Sequence, residues 1–473
     1  MSTWAESPTL RGRTIVIAVV ASSTSFIDAS VVNVALPGIA SELGGGLSTQ
    51  QWVVDGYILT LGSIILVAGA FADAVGQARA LRIGLVIFGL ASAACAFAPS
   101  VGVLIAARLV QGVGAALLVP SSLALLALTF SGEERGWAVG RWTSWTSAAF
   151  VAGPLLGGLL VDTLGWRWVF LVNVPVIAFT LIWMRGLDTA RPDGGRQLDL
   201  LGAGLVTFGL AALVFGLIEQ PGSGWTSAIV LVSLGLAVVL LAGFVLRERW
   251  GRNVLVPLEL FGSHNFTAGN LATVGVYAGV GLGLLIVTLL LQEVVRVPAF
   301  LAGLATLPVA LCSLLLAERF GRLAGRHGAR ILMTVGPLVA AAGFAWMSLT
   351  AAEVTSLWLH LGLGLPLYGL GLAMTVAPLT ATVLDAVPPE RSGVASATNN
   401  ATARVSGLVA VAVLGTVAGD VFDLAAFQRA ALTTAAFFAL GAVTAFVGVR
   451  AAPRRPGTLG SRIRNDPERG GEQ

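Results

Sequence analysis

Apolar runs long enough to cross a bilayer recur about fourteen times along this chain, at residues 14–37, 50–72, 81–98, 102–128, 136–162, 166–184, 200–219, 227–247, 266–293, 299–318, 331–350, 357–384, 394–418 and 430–450. About 20 apolar residues, rising about 1.5 Å each, cover a hydrocarbon core of about 30 Å. In lipid each backbone N–H and C=O must find its partner within the protein, and a run of this length does so as a helix. The residue content agrees: 56% is hydrophobic and only 11% charged, against about 25% charged in a soluble domain. The fold predicted is therefore an all-α membrane protein of fourteen transmembrane helices.

An even number of crossings puts both termini on one side, and the arginines say which. With the amino terminus inside, the cytoplasmic segments collect Arg11, Arg13, Arg79, Arg82, Arg135, Arg185, Arg247, Arg249, Arg319, Arg322, Arg330, Arg391 and the tail arginines, while the outer segments hold Arg167, Arg296 and Arg429. Positive charge stays inside, so both ends are read as cytoplasmic. Trp52, Trp166, Trp168, Trp183, Trp225 and Trp250 fall near span ends, as an interfacial belt requires. Longer polar connections at 185–199 and 248–265 divide the spans into six, two and six. The units read are a first bundle (1–198), two linking helices (199–254), a second bundle (255–450) and a disordered arginine-, proline- and glycine-rich tail (451–473). The loop after the second span, GAFADAVGQARALR (69–82), is echoed after the tenth by GRLAGRHGAR (321–330). Such an echo is what a duplicated transporter half leaves behind.

Several chemistries are excluded. All 28 basic residues are arginine, so the chain has neither a Walker A lysine nor a Schiff-base lysine. No G-x-S-x-G occurs, His264, His327 and His360 lack metal-ligand spacing, and Cys95 and Cys312 read as small apolar core residues. The first fifteen residues carry no signal-peptide cleavage pattern, so the first span is expected to be retained. No enzyme, metal or cofactor is expected.

What remains is charge inside the membrane. Asp28 lies about fourteen residues into the first span, a depth at which a carboxylate costs roughly 2.5–3.5 kcal/mol and normally faces a pathway or a partner. Val31, Val32 and Ala35 share its helical face, and Pro37 is read as closing the helix. Arg108 and Asp55 enter their own spans from the outside to a comparable depth. The reading is that Asp28 takes up a proton when the site faces out and releases it when the site faces in, with Arg108 beside it and Asp55 as a second candidate acid. The structural alternative makes Asp28 a helix–helix hydrogen bond and Arg108 its counter-ion. Arg404, about ten residues into the thirteenth span, has no evident acid at its depth. It suits an anionic or carbonyl-rich substrate, or else bonds helix carbonyls. Gln111, Asn399 and Asn400, with the aromatics Phe26, Tyr57, Trp142, Trp145 and Tyr277, are candidate cavity residues, although membrane aromatics also simply pack. In the fifth span Gly153, Gly157 and Gly158 share one side next to Pro154, a small-residue contact surface or a flexible seam.

In its motifs the chain resembles the fourteen-helix drug:proton antiporter branch of the major facilitator superfamily. The motifs run in order from residue 25 to about 407: IDASVVNVALP; QWVVDGYILT; Gly69, Asp73, Gly76 and Arg79 after the second span; ARLVQGVGAA; Gly140, Gly153, Pro154, Gly157 and Gly158, with Ala149 where glycine is usual; WRWVFLVNVP; and SGVASATNNATARVSG. Within the branch, WVVDGYILT and LIEQPGSGWT resemble the methylenomycin-resistance type of actinobacterial exporter. The resemblance implies two six-helix bundles with two extra helices in a bacterial inner membrane. It also implies proton coupling at Asp28, Asp55 and Arg108, and gating by Gly69, Asp73, Gly76, Arg79 and the helix-five glycines. One departure is that Ala74, Gln77 and Ala78 stand where the loop usually carries basic residues, which thins its charge relay. The function expected is proton-driven export of antibiotics or other hydrophobic or cationic drugs by alternating access, working as a monomer. The alternative is a dedicated exporter of an endogenous metabolite on the same scaffold.

Overall fold

The structure, a computed structural model, describes residues 8–130, 132–187, 199–251, 254–350, 354–388, 391–419 and 421–450. The tail read as disordered and most of the 185–199 connection lie outside them. Among the described residues every regular element is helical. The first group is α1 (Pro8–Leu43), α2 (Leu47–Val75), α3 (Gln77–Ala96), α4 (Val101–Thr129), α5 (Gly132–Leu164), α6 (Arg167–Leu171) and α7 (Asn173–Trp183). Then come α8 (Leu200–Ser223) and α9 (Ala228–Trp250). The last group is α10 (His264–Leu289), α11 (Ala299–Ala305), α12 (Leu307–His327), α13 (Ala329–Met347), α14 (Val354–Asp385), α15 (Ser392–Ala418) and α16 (Leu424–Gly448).

Among the described residues twelve helices are long and apolar enough to cross a bilayer, thirteen when the two arms of α2, bent by 58°, are taken as one span. The sixth predicted span is the shorter pair α6–α7 over Arg167–Trp183. One expectation is corrected: α1 does not stop at Pro37 but runs through it to Leu43. Proline removes one donor, and membrane helices tolerate this because neighbouring groups take up the freed carbonyl. Pro120, Pro154 and Pro366 also lie inside helices.

The echoed loops have the same geometry. α2 and α3 are separated by Gly76 alone, at φ +95°, and α12 and α13 by Gly328 alone, at φ +92°. A one-residue turn with positive φ favours glycine, since a Cβ there would strain the backbone.

In the first group α1 packs on α4 and α5, and α4 on α2 and α3; in the last, α13 packs on α14 and α16, and α10 on α15 and α16. α2 lies against α15 and α5 against α11, which joins the groups. α8 rests on α2 and α15, and α9 on α8. Gly209 and Gly216 admit Leu241 and Leu234 of α9 so closely that a Cβ would come within 2.9 Å of each, the small-residue packing that lipid-embedded helices favour. The outward side of α9, with Val232, Val238 and Val239, is exposed and suits contact with acyl chains.

One apolar core cluster runs through both groups, from Val31, Leu36, Val53, Leu104 and Phe170 to Leu285, Leu289, Leu291 and Ala302. These residues lie towards the end that carries the α1–α2 connection. Towards the opposite end the clusters stay within a group: Ile15, Leu126, Phe130 and Trp142 in the first, Leu260, Phe266, Val383 and Ala395 in the last. The bundle is closed at one end.

Candidate functional site

Asp28 is completely buried and is held by three side chains from two other helices. Arg108 of α4 donates from Nη1 to Asp28 Oδ2 at 2.5 Å, and Gln111, one turn further along α4, donates to Asp28 Oδ1 at 2.9 Å. Asn173, the first residue of α7, donates to the same Oδ1 at 3.1 Å. Arg108 also bonds the carbonyls of Val53 (2.9 Å) and the Gln111 side chain (2.8 Å). Its guanidinium carbon stands 4.4 Å from the centroid of the Tyr57 ring. Ser92 of α3 completes the network: it accepts from Gln111 at 3.2 Å and Asn173 at 3.0 Å and donates to the Phe170 carbonyl at 2.9 Å. A carboxylate and a guanidinium both pay a desolvation cost in the bilayer, and full hydrogen bonding is what offsets it.

The sequence reading groups Asp28, Arg108 and Asp55 by depth and places Gln111 among the cavity candidates; the structure brings Asp28, Arg108 and Gln111 together. It missed Ser92 and Asn173. Both are ordinary polar residues within apolar helices; the only signal was Asn173 in the WRWVFLVNVP stretch. Asp55 is not in the network. On α2 it lies four residues from Gln51, which donates to the Val411 carbonyl of α15, and four from Leu59, which packs with Leu408 and Ala412. That stripe faces α15, and both Asp55 oxygens are buried without a hydrogen-bond partner among the described residues.

The candidate cavity residues divide. Tyr57 is fully buried and bonds Ser25 (2.7 Å), and Trp142 is buried with its indole donating to Ser22 at 3.1 Å. Phe26 meets Trp142 edge-on, with centroids 6.4 Å apart. Trp145 and Asn400 are exposed. Asn399 is buried in the last group and donates to Asn270 (3.2 Å) and Thr273 (2.7 Å). Tyr277 and Arg404 are half-buried.

The groups meet in a tight seam at the closed end. A Cβ on Gly158 would lie 2.5 Å from the Phe300 Cα, and one on Gly303 would lie 2.3 Å from the Pro154 carbonyl oxygen. Gly153 and Gly157 instead admit Ser30 and Val31 of α1. Asp162, at the end of α5, accepts from the backbone N–H of Ala299 (3.0 Å) and Phe300 (2.8 Å), capping α11 across the seam. Gln50 donates to Glu293 beside it. At the opposite end Asp73 accepts from Gln77, a side chain standing where a basic residue was expected, at 2.8 Å. Arg79 is exposed, and open space surrounds Gly69 and Gly140.

Residues 18–412 match the family model described as Major Facilitator Superfamily. The chain belongs to that superfamily. Multidrug resistance protein Stp of Mycobacterium tuberculosis is 36% identical over 394 residues, covering 83% of this chain and 73% of Stp. Methylenomycin A resistance protein of Bacillus subtilis is 34% identical over 394 residues, covering 83% of this chain and 84% of its own. Among solved structures, the inward open conformation of the xylose transporter XylE from E. coli superposes with a TM-score of 0.63 over 93% of this chain and 97% of that one; at 14% identity this is a likeness of fold. The protein is thus a superfamily transporter and not an enzyme, a multi-pass bacterial membrane protein built on two packed helical groups.

Proposed function

We propose that the chain exports antibiotics or other hydrophobic compounds by alternating access, driven by proton entry. The observation that carries the reading is Asp28: a buried carboxylate satisfied by Arg108, Gln111 and Asn173, from segments that must move for the network to open. The printed names of Stp and the methylenomycin A resistance protein support the drug class. With the termini cytoplasmic, as the arginines suggest, the closed end is the outer one and the arrangement faces inward. In this state Asp28 is fully buried inside its network and presents no exposed oxygen to a cationic drug, so proton and cargo would compete through the network and not at the bare carboxylate. No cofactor is needed: one proton crossing 100 mV supplies about 2.3 kcal/mol.

The test is uptake of carboxyfluorescein and rhodamine 123 by inverted membrane vesicles under an imposed pH gradient. The expected result is accumulation that a protonophore reverses and that Asp28→Asn abolishes. Accumulation that survives collapse of the gradient rejects proton drive. An Asp28→Asn protein that matches the wild type moves the coupling role to Asp55. Uptake of neither dye by folded protein favours a dedicated exporter.

A further inference from the structure

Of the charged side chains that the described residues place at mid-span, Asp28 and Arg108 are closed off by their shared network and Asp55 by complete burial. Arg404 on α15 differs. It is only half-buried, and among the described residues it has neither an ion pair nor a hydrogen bond. Its guanidinium carbon stands 5.9 Å from the centroid of the Phe26 ring, and it is near enough to the phenols of Tyr57 and Tyr277 to interact electrostatically with both. Its backbone is held at the join between the groups, where a Cβ on Gly62 of α2 would lie 3.0 Å from the Arg404 Cβ.

Besides the Phe26 ring, Tyr277 and Asn400 offer hydrogen-bond donors near Arg404 in the fold. The Tyr277 hydroxyl makes no hydrogen bond among the described residues. Asn400, one turn before Arg404, is exposed and spends one amide proton on the Ser396 carbonyl at 2.9 Å, leaving its second free. Tyr277, Asn399, Asn400 and Ala403, the last of these next to Arg404 in the chain, line a pocket that opens between α10, α14 and α15. Asp28 and Asp55 are both completely buried, and neither forms an ion pair with Arg404. An uncompensated cation in a low-dielectric interior is costly. A ligand that brings the opposite charge removes that cost, and the arginine fork matches a carboxylate with two parallel bonds.

We propose that Arg404, with Tyr277 and Asn400, forms an oxyanion subsite, so that the compounds carried bear a carboxylate or comparable anionic group on a hydrophobic body. The proposal rests on the exporter reading for the statement that the bound compound is cargo. A competing role exists on the same helix pair: Asp55 faces α15, and a shift of α15 along α2 in another conformation would let the two charges pair.

The test uses the full-length protein in nanodiscs, without any gradient, titrated with carboxyfluorescein and rhodamine 123, xanthene dyes of similar size and opposite charge. Anisotropy should show tighter binding of carboxyfluorescein. Arg404→Gln should weaken it about ten-fold or more while leaving rhodamine 123 within about two-fold, and Arg404→Lys should recover part of the loss. Tyr277→Phe and Asn400→Ala should each weaken the anionic dye alone, by several-fold, and they decide the matter if Arg404→Gln does not fold. The inference is overturned if the wild type prefers rhodamine 123, binds neither dye, or loses both equally in Arg404→Gln; the last result gives Arg404 to pairing with Asp55. Anion binding without gradient-driven uptake keeps the subsite and rejects the exporter reading, whereas uptake with no preference for the anion does the reverse.

Discussion

At Asp28 three side-chain donors from α4 and α7 meet one carboxylate, and at Arg108 the same guanidinium serves a carboxylate, a side-chain amide and a backbone carbonyl while covering a tyrosine face. Lysine has neither the planar fork nor the stacking surface. Arg108→Lys should therefore abolish dye uptake and lower the melting temperature of the purified protein, and Arg108→Ala should cost more, about 3–5 kcal/mol, because it strands the carboxylate. Thermal melts in detergent check both; an Arg108→Lys protein as stable and active as the wild type would reduce the network to packing. The charged members of this site were legible because charge at mid-span is conspicuous in an apolar sequence. Ser92 and Asn173 were not, since an uncharged polar residue in a membrane helix costs little and carries no mark of which neighbour it meets.

The helix α5 shows what one element does at two contacts. Its glycines form a continuous small surface in sequence, yet Gly153 and Gly157 serve the contact with α1 inside the first group and Gly158 the contact with α11 across the join. A substitution at Gly158 should therefore act on closure more than on folding. In a Cys95→Ala, Cys312→Ala background, Leu291→Cys, fully buried at the closed end, should resist a membrane-impermeant maleimide. Adding Gly158→Val should expose it and raise its labelling rate several-fold; unchanged labelling would mean that the seam tolerates the side chain. Asp162→Asn should have a smaller effect in the same direction, since its one amide oxygen can accept only one of the two backbone N–H bonds and it loses the negative charge that complements the helix dipole. α2 makes the parallel point. Counting residues from the span end places Asp55 at a depth comparable to that of Asp28, but depth is one coordinate and helical face is another, and the face turns Asp55 towards α15.

On the scale of the whole molecule the expectation still to be measured is topology. Fluorescent-protein fusions at the carboxyl terminus and after Arg185 should be bright, and alkaline phosphatase fusions after Gly45 and after Gly224 should be active. The opposite pattern would reverse the assignment of the closed end. The sequence by itself determined the class of the fold. A bilayer is a uniform solvent that forces every long apolar run into a hydrogen-bonded helix, so hydropathy alone orders the elements, and the loop echo in the sequence marks the places where the structure has its turns at Gly76 and Gly328. The sequence also named the interior charges, because each stands out against lipid. Only the tertiary structure decided which of them meet. Helix rotation and crossing are set by packing at glycines and small residues from distant parts of the chain. That packing satisfied Asp28, isolated Asp55, closed one end through α5 and α11, and left Arg404 at the join without a counter-charge among the described residues.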